Sequence, residues 1–262
     1  MPACRAHATI ARAAQSVVAQ RGVNVELVVC ADDGADYGDL LRRALPASAA
    51  LTLCRTAAPY RGPSVARNVA LGHARADVIA CLDADDCFAP ARLRLLLPLV
   101  EAHGVATGAT WEIDPRSGAT RIARPRHARD RLEIADICEL RMPFPPVFHR
   151  RCGVYWPEIA FAEDVILNVE LFCACRMYPF VARARYHYFI GADTRSHSRH
   201  ALAEARAGYL QILGMIGERN WPQPVREVVA RAFGEDLRNV ERAQAAGGND
   251  RSWREVVRAP RP

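Results

Sequence analysis

Two hydrophobic periods alternate through the first 110 residues, and that alternation limits the fold more than any other feature of the chain. His7–Gln20 places Ile10, Ala13, Val17 and Val18 on one helical face, and Val23–Cys30 is a short β-branched run. Leu40–Leu45 reads as helix, Ala50–Cys54 as strand, Ser64–Ala74 as helix and Val78–Leu82 as strand. Pro90–Ala102 is again helical, with Pro90 suited to a first turn and Pro98 expected to kink or shorten the helix. Short apolar runs separated by helices are the pattern of strands covered on both faces, which predicts a parallel sheet in a layered α/β fold.

Beyond residue 105 the signal changes. Val105–Arg126 tends towards period two and predicts strands or a hairpin, followed by a basic run over 121–131. That run reads either as a solvated loop or as a contact for an anionic acceptor or membrane surface. Residues 163–177 read as helix, 180–190 as an aromatic-rich strand, and Arg199–Gly217 and Pro222–Ala246 as two further helices.

Composition removes several function classes. The chain carries net charge +6, yet it contains no lysine, so all 35 basic residues are arginine. A chain that grips phosphate backbones more often mixes the two, so the surplus reads as arginine-rich codon usage and no nucleic-acid partner is expected. The 9 cysteines include no Cys-x-x-Cys pair or Cys/His ladder, and several sit in apolar runs as small hydrophobes. No apolar run approaches the ~18–20 residues that span a bilayer, and the amino end does not read as a signal peptide. The expectation is a cytoplasmic protein with reduced thiols.

Acidic residues cluster where strands should end. Asp32-Asp33-Gly34 follows Val-Glu-Leu-Val-Val-Cys-Ala, and Asp83-Ala84-Asp85-Asp86 follows Val-Ile-Ala-Cys-Leu. In open α/β sheets the ligand crevice lies outside the carboxyl ends of the strands, which puts both clusters in one cleft. Crowded carboxylates repel each other unless a cation lies between them, and oxygen ligands of this kind suit Mg²⁺ or Mn²⁺ beside a diphosphate. Aspartate at strand ends also serves as a turn or cap residue. Between the clusters, Gly62-Pro63-Ser64-Val65-Ala66-Arg67-Asn68 opens a helix whose first amides attract an anion.

Taken in order, Ala-Thr-Ile-Ala-Arg-Ala through Ser16-Val-Val-Ala-Gln, Asp-Asp-Gly, Gly-Pro-Ser-x-Ala-Arg-Asn, Leu-Asp-Ala-Asp-Asp and Phe161-Ala-Glu163-Asp164-Val-Ile-Leu resemble a family 2 glycosyltransferase of the GT-A fold. The resemblance implies a Rossmann-like mixed, mainly parallel sheet flanked by helices. It implies a glycosyltransferase domain over 1–195, with a nucleotide-sugar half (1–104) and an acceptor half (105–195), and a helical extension over 196–262. Asp32, Asp33, Arg67, Asp83, Ala84 and Asp85 would bind the nucleotide sugar, and Asp83 and Asp85 would hold Mn²⁺ or Mg²⁺. Asp164 would be the general base, with Glu163 positioning the acceptor. The implied reaction is an inverting displacement from a nucleotide sugar, a UDP-sugar first, to a glycan, lipid-linked or small-molecule acceptor. His187 or His197 could add a metal ligand, Arg195 or Arg199 a phosphate contact from a closing loop over 188–198, and Trp111 a sugar-stacking face. A peripheral contact at the inner membrane face and a homodimer built on the carboxy-terminal helices are compatible with this reading.

One departure stands out. Family members begin with a strand of the type Val-Ser-Val-Ile-Ile-Pro-x-Tyr-Asn, whereas Cys4-Arg5 stand here where Tyr-Asn would be. The expectation is that two strand edges lose a partner and that either translation starts upstream or the chain is a non-catalytic binding or scaffold protein.

Overall fold

A computed structural model describes residues 1–126, 129–139, 144–190, 200–247 and 253–257. The expected alternation forms. Helix α1 (Ile10–Val18) buries Ile10, Ala13, Ala14 and Val17 as one stripe, and strand β2 (Glu26–Ala31) buries five consecutive residues, the mark of a strand covered on both faces. Strand β1 (Pro2–Ala3), β2 and β3 (Ala50–Arg55) form a parallel three-stranded sheet in that order, with α2 (Gly38–Ala44) between β2 and β3. Helix α3 (Pro63–His73) opens with Pro63 after Gly62, whose φ of 95° suits only glycine, and packs on β2 and β3.

A second, six-stranded sheet contains β4 (Val78–Ala80), β5 (Cys87–Phe88), β6 (Val105–Ile113), β7 (Thr120–Ala123), β8 (Val147–His149) and β9 (Phe180–Phe189). Its order is β4-β8-β6-β9-β5, with β7 hairpinned onto β6. The fold is therefore mixed α/β, parallel throughout its first sheet and at β6–β9, and antiparallel at the remaining pairs. Helix α4 (Arg92–His103) runs through Pro98 without stopping, because Leu96 and Val100 on either side are fully buried against the sheet. Missing from the sequence reading are the short β5, β8 and α5 (Ile134–Glu139), each too brief to show a period. Along the basic run, Arg121, Arg124, Arg126 and Arg129 are exposed and Arg131 pairs with Glu133 at 2.7 Å.

The two sheets do not join. Strands β2 and β4 flank a cavity of about 200 Å³ lined by Val17, Leu27, Ile79, Leu93, Arg67 and Trp156 among others. Only the two residues of β1 pair with β2 on that side, and the Met1 amino group, its pKa lowered by burial, donates to the Val28 carbonyl at 2.8 Å.

The largest core cluster links β6 and β9 to α6 (Glu163–Ala174), α7 (Ala201–Met215), α8 (Gln223–Ala245) and α9 (Trp253–Val257). Helix α7 reaches the segment ahead of α6 through Gly208, where a Cβ would stand 2.6 Å from the Phe161 backbone nitrogen. Gln211 accepts the Ala160 N–H at 2.7 Å beside it, and the Phe161 ring packs on Tyr209 and Trp253.

Strands β6 and β9 approach most closely at Gly108, where a Cβ would lie 1.9 Å from the Ala184 carbonyl oxygen. Gly108→Ala is expected to destabilise the protein by about 3 kcal/mol, the upper part of the overpacking range. Urea unfolding of the two forms checks this, and a midpoint unchanged by the substitution would contradict the packing described.

Candidate active site

Both aspartates at the end of β2 are fixed, in different ways. Asp32 is buried. Its Oδ1 accepts the Arg61 N–H at 2.9 Å and the Thr56 hydroxyl at 3.0 Å, and its Oδ2 accepts the Gly62 N–H at 2.8 Å. The carboxylate thus ties β2 to the loop that starts α3. Asp33 sits at the rim and accepts from the Arg5 N–H (2.5 Å), the Tyr37 hydroxyl (2.7 Å) and the Ala35 N–H (3.1 Å). Burial pushes its pKa up, but those hydrogen bonds outweigh it and hold the carboxyl below the usual range.

Arg67, on the second turn of α3, joins the two later acid clusters. Its Nη2 lies 2.7 Å from Asp83 Oδ1 and its Nη1 3.1 Å from Glu163 Oε1. Its guanidinium also lies 5.9 Å from the Trp156 ring centre. Burial opposes the charge, yet Asp83, Glu163 and Asp164 together hold the Arg67 pKa above its ordinary value. The next residue, Asn68, exchanges two hydrogen bonds with the backbone of Trp156, at 2.9 and 3.0 Å, and so clamps α3 to the segment that leads into α6.

The Asp83–Asp86 turn is built from below. Asp86 is buried and accepts the Tyr186 hydroxyl at 2.8 Å and the Phe189 N–H at 2.9 Å, while Tyr186 Oη in turn accepts the Asp83 N–H at 3.2 Å. Ala84 is buried between the aspartates. Arg12 of α1 donates to the Asp85 carbonyl at 2.6 Å and lies 3.8 Å from the Phe189 ring centre. Burial and then the Asp83 charge push the Asp85 pKa up to about 6. Arg92 is wholly buried behind Tyr186, donating to the carbonyls of Ala184 and Pro145 at 2.7 and 2.6 Å.

Glu163 and Asp164 occupy the first turn of α6, where the helix dipole favours carboxylates. Ala162 ahead of them has φ 64°. Burial, then the neighbouring Glu163 charge, pushes the Asp164 pKa up, with Arg67 partly offsetting both.

The structure therefore brings Arg67, Asp83, Glu163 and Asp164 together, with Asp85 beside them and Asp33 on the rim above β2. It does not bring His187 to this group. Adjacent strand residues face opposite ways, and since Tyr186 reaches Asp86, His187 points to the other face, where it meets Trp111 at 6.3 Å. Trp111 itself packs at the edge of the main core under the Arg185 guanidinium, at 4.3 Å. His197, Arg195 and Arg199 lie outside the described residues. Arg12, Tyr186 and Trp156 have no signal in the sequence, because each acts through an element far away in the chain.

The model of the family described as "Glycosyl transferase family 2" matches residues 1–154, more than half of the chain. The chain belongs to glycosyl transferase family 2. Succinoglycan biosynthesis protein ExoO of Rhizobium meliloti (strain 1021) is 36% identical over 137 residues, which is 52% of this chain and 37% of that protein. Among solved structures, S. aureus TarS 1-349 in complex with UDP-GlcNAc superposes with a TM-score of 0.66 at 14% identity, over 92% of this chain and 70% of that one. The mannosyltransferase PcManGT of Pyrobaculum calidifontis, in complex with GDP-Man and Mn2+, gives 0.64 at 18% identity, over 94% and 73%. At such identities the likeness is one of fold, and the fold is GT-A. No described helix is long and apolar enough to cross a membrane.

The raised Asp85 pKa has a stability signature. Its folded value of about 6 exceeds the unfolded value of 3.8, so the folded state binds the extra proton between them. Stability without metal is expected to fall as pH rises from about 4 to 6 and then to level off with respect to this group. Asp85→Asn should flatten that part of the curve in thermal unfolding scans across the range. A slope the same in both proteins would contradict the environment described for Asp85.

Proposed function

We propose that this cleft transfers a sugar from a nucleotide sugar, a UDP-sugar first, to a hydroxyl of a glycan, lipid-linked or small-molecule acceptor, with inversion. The observation that carries the proposal is the Arg67 bridge. It holds a donor-side carboxylate, Asp83, and an acceptor-side carboxylate, Glu163, on one guanidinium although 80 residues of chain separate them. Relatives whose structures hold UDP-GlcNAc, or GDP-Man with Mn2+, support a nucleotide-sugar donor.

A divalent cation suits Asp83 and Asp85. Burial, and then the Asp83 charge, raise the Asp85 pKa, so a cation held by the two carboxylates would offset a penalty the protein otherwise bears. Asp83 and Asp85 would hold such an ion, and oxygen ligands of this kind suit Mg²⁺ or Mn²⁺. Such an ion supplies neutralisation of charge on the leaving diphosphate. Asp33, kept ionised by its hydrogen bonds, is free to accept from the nucleoside at the rim. Asp32 supports it by fixing the loop of residues 56–62, and Ala84 gives the turn its close packing.

Asp164 takes the proton from the acceptor hydroxyl. Its pKa lies above the ordinary carboxylate value, so it is a better base than a free aspartate and remains ionised at neutral pH. Glu163, held by Arg67, orients the acceptor beside it. Single displacement with this base on the face opposite the diphosphate inverts the sugar carbon.

The alternative reading is a non-catalytic glycosyltransferase-like binding or scaffold protein. Calorimetric titration of UDP with and without Mn²⁺, on the chain and on Asp85→Ala, tests the nucleotide site. The expected result is binding that needs the metal and is lost in the variant. Asp164→Asn then separates the readings. It should keep the UDP affinity and lower kcat by about 10²- to 10⁴-fold. Transfer undiminished in Asp164→Asn would overturn the assignment of the base, and UDP binding without transfer or hydrolysis by the parent chain would select the second reading.

A further inference from the structure

A left-handed backbone is uncommon for residues with a side chain and strained for bulky ones. Among the described residues three non-glycines adopt it, Arg5 (φ 52°), Tyr60 (φ 63°) and Ala162 (φ 64°), and all three border the cleft. Ala162 precedes Glu163, which already has a part in the proposed chemistry. Arg5 and Tyr60 have none. Arg5 donates its N–H to Asp33 Oδ2, and Tyr60 donates its N–H to the Asp32 carbonyl. Each strained residue is therefore tied to one of the two aspartates that end β2.

The side chains meet as well. The Arg5 guanidinium carbon lies 5.5 Å from the centre of the Tyr60 ring. The two residues come from separate segments, yet both side chains are exposed, and Tyr60 is 62% exposed. A large ring standing in solvent contributes little to a core, and glycine would hold φ 63° without strain. The loop beneath is over-determined, since the Asp32 carboxylate takes the Arg61 and Gly62 amides and the Thr56 hydroxyl. Strained residues held by an over-determined loop cluster at ligand clamps and active sites, and an exposed ring there offers a face for a planar group.

We propose that Tyr60, with Arg5 beside it, is the stacking wall for the nucleobase of the donor. The proposal rests on the reading of this cleft as a nucleotide-sugar site and adds the residues that grip the base. A phenol ring and a guanidinium plane both stack on the π-face of a heterocycle, and Asp33 on the same rim keeps the nucleoside end polar.

The test compares UDP with inorganic pyrophosphate, which has no base, by calorimetric titration in Mn²⁺. Tyr60→Gly is expected to weaken UDP binding by roughly 5- to 150-fold, the range for loss of one stacked base. It should leave pyrophosphate binding unchanged and the Tm no lower than that of the parent, because the strained position is relieved. Tyr60→Phe should bind UDP as the parent does, and Arg5→Ala should weaken UDP alone. Equal UDP affinity in Tyr60→Gly and the parent, or an equal loss of UDP and pyrophosphate, would overturn the stacking wall and leave the nucleotide site standing. A folded parent chain that binds neither ligand would overturn the nucleotide reading and the wall together.

Discussion

The guanidinium of Arg67 is the hub on which the cleft depends. Without it, Glu163 would be a nearly buried carboxylate with another, Asp164, next to it in sequence, and Asp83 would add a third negative charge nearby. Removing the guanidinium would leave the mostly buried Glu163 side chain facing two other carboxylates, which is destabilising. The rest of the architecture serves the geometry of this bridge. Asp32 sets where α3 begins, Asn68 clamps α3 to the Trp156 segment, and the Tyr186–Asp86 pair holds the turn that carries Asp83.

Much of this was legible in the chain. The alternating periods predicted the layered first half because β2, α1 and α3 bury residues at the spacing their elements require. The acid clusters were legible for a different reason: each directly follows a short apolar run, which marks Asp32-Asp33 and Asp83–Asp86 as residues just past strand ends, although β2 and β4 lie in separate sheets. What could not be read is the set of residues that act across the fold. Arg12 reaches Asp85, and Tyr186 lies a hundred positions from Asp86, with nothing local to mark either as a partner. The middle of the chain was opaque because β5, β8 and α5 are held by their neighbours rather than by any pattern of their own.

The interrupted sheet shows the same limit from the other side. Strands β2 and β4 lie in separate sheets, with a cavity of about 200 Å³ between them. The sequence could not show that the flanking layers would stay in place around it. They do so because α1 and α4 on one face, and α3 on the other, are anchored by strands outside the gap.

The contact between Gly208 and Phe161 changes how the last third of the chain should be viewed. Helix α7 touches the backbone only a residue away from the turn that aims Glu163 and Asp164. The carboxy-terminal helices are thus a bearing surface for the chemistry rather than a trailing appendage. Substitutions along their inner face would reach Glu163 and Asp164 mechanically, through the tilt of α6.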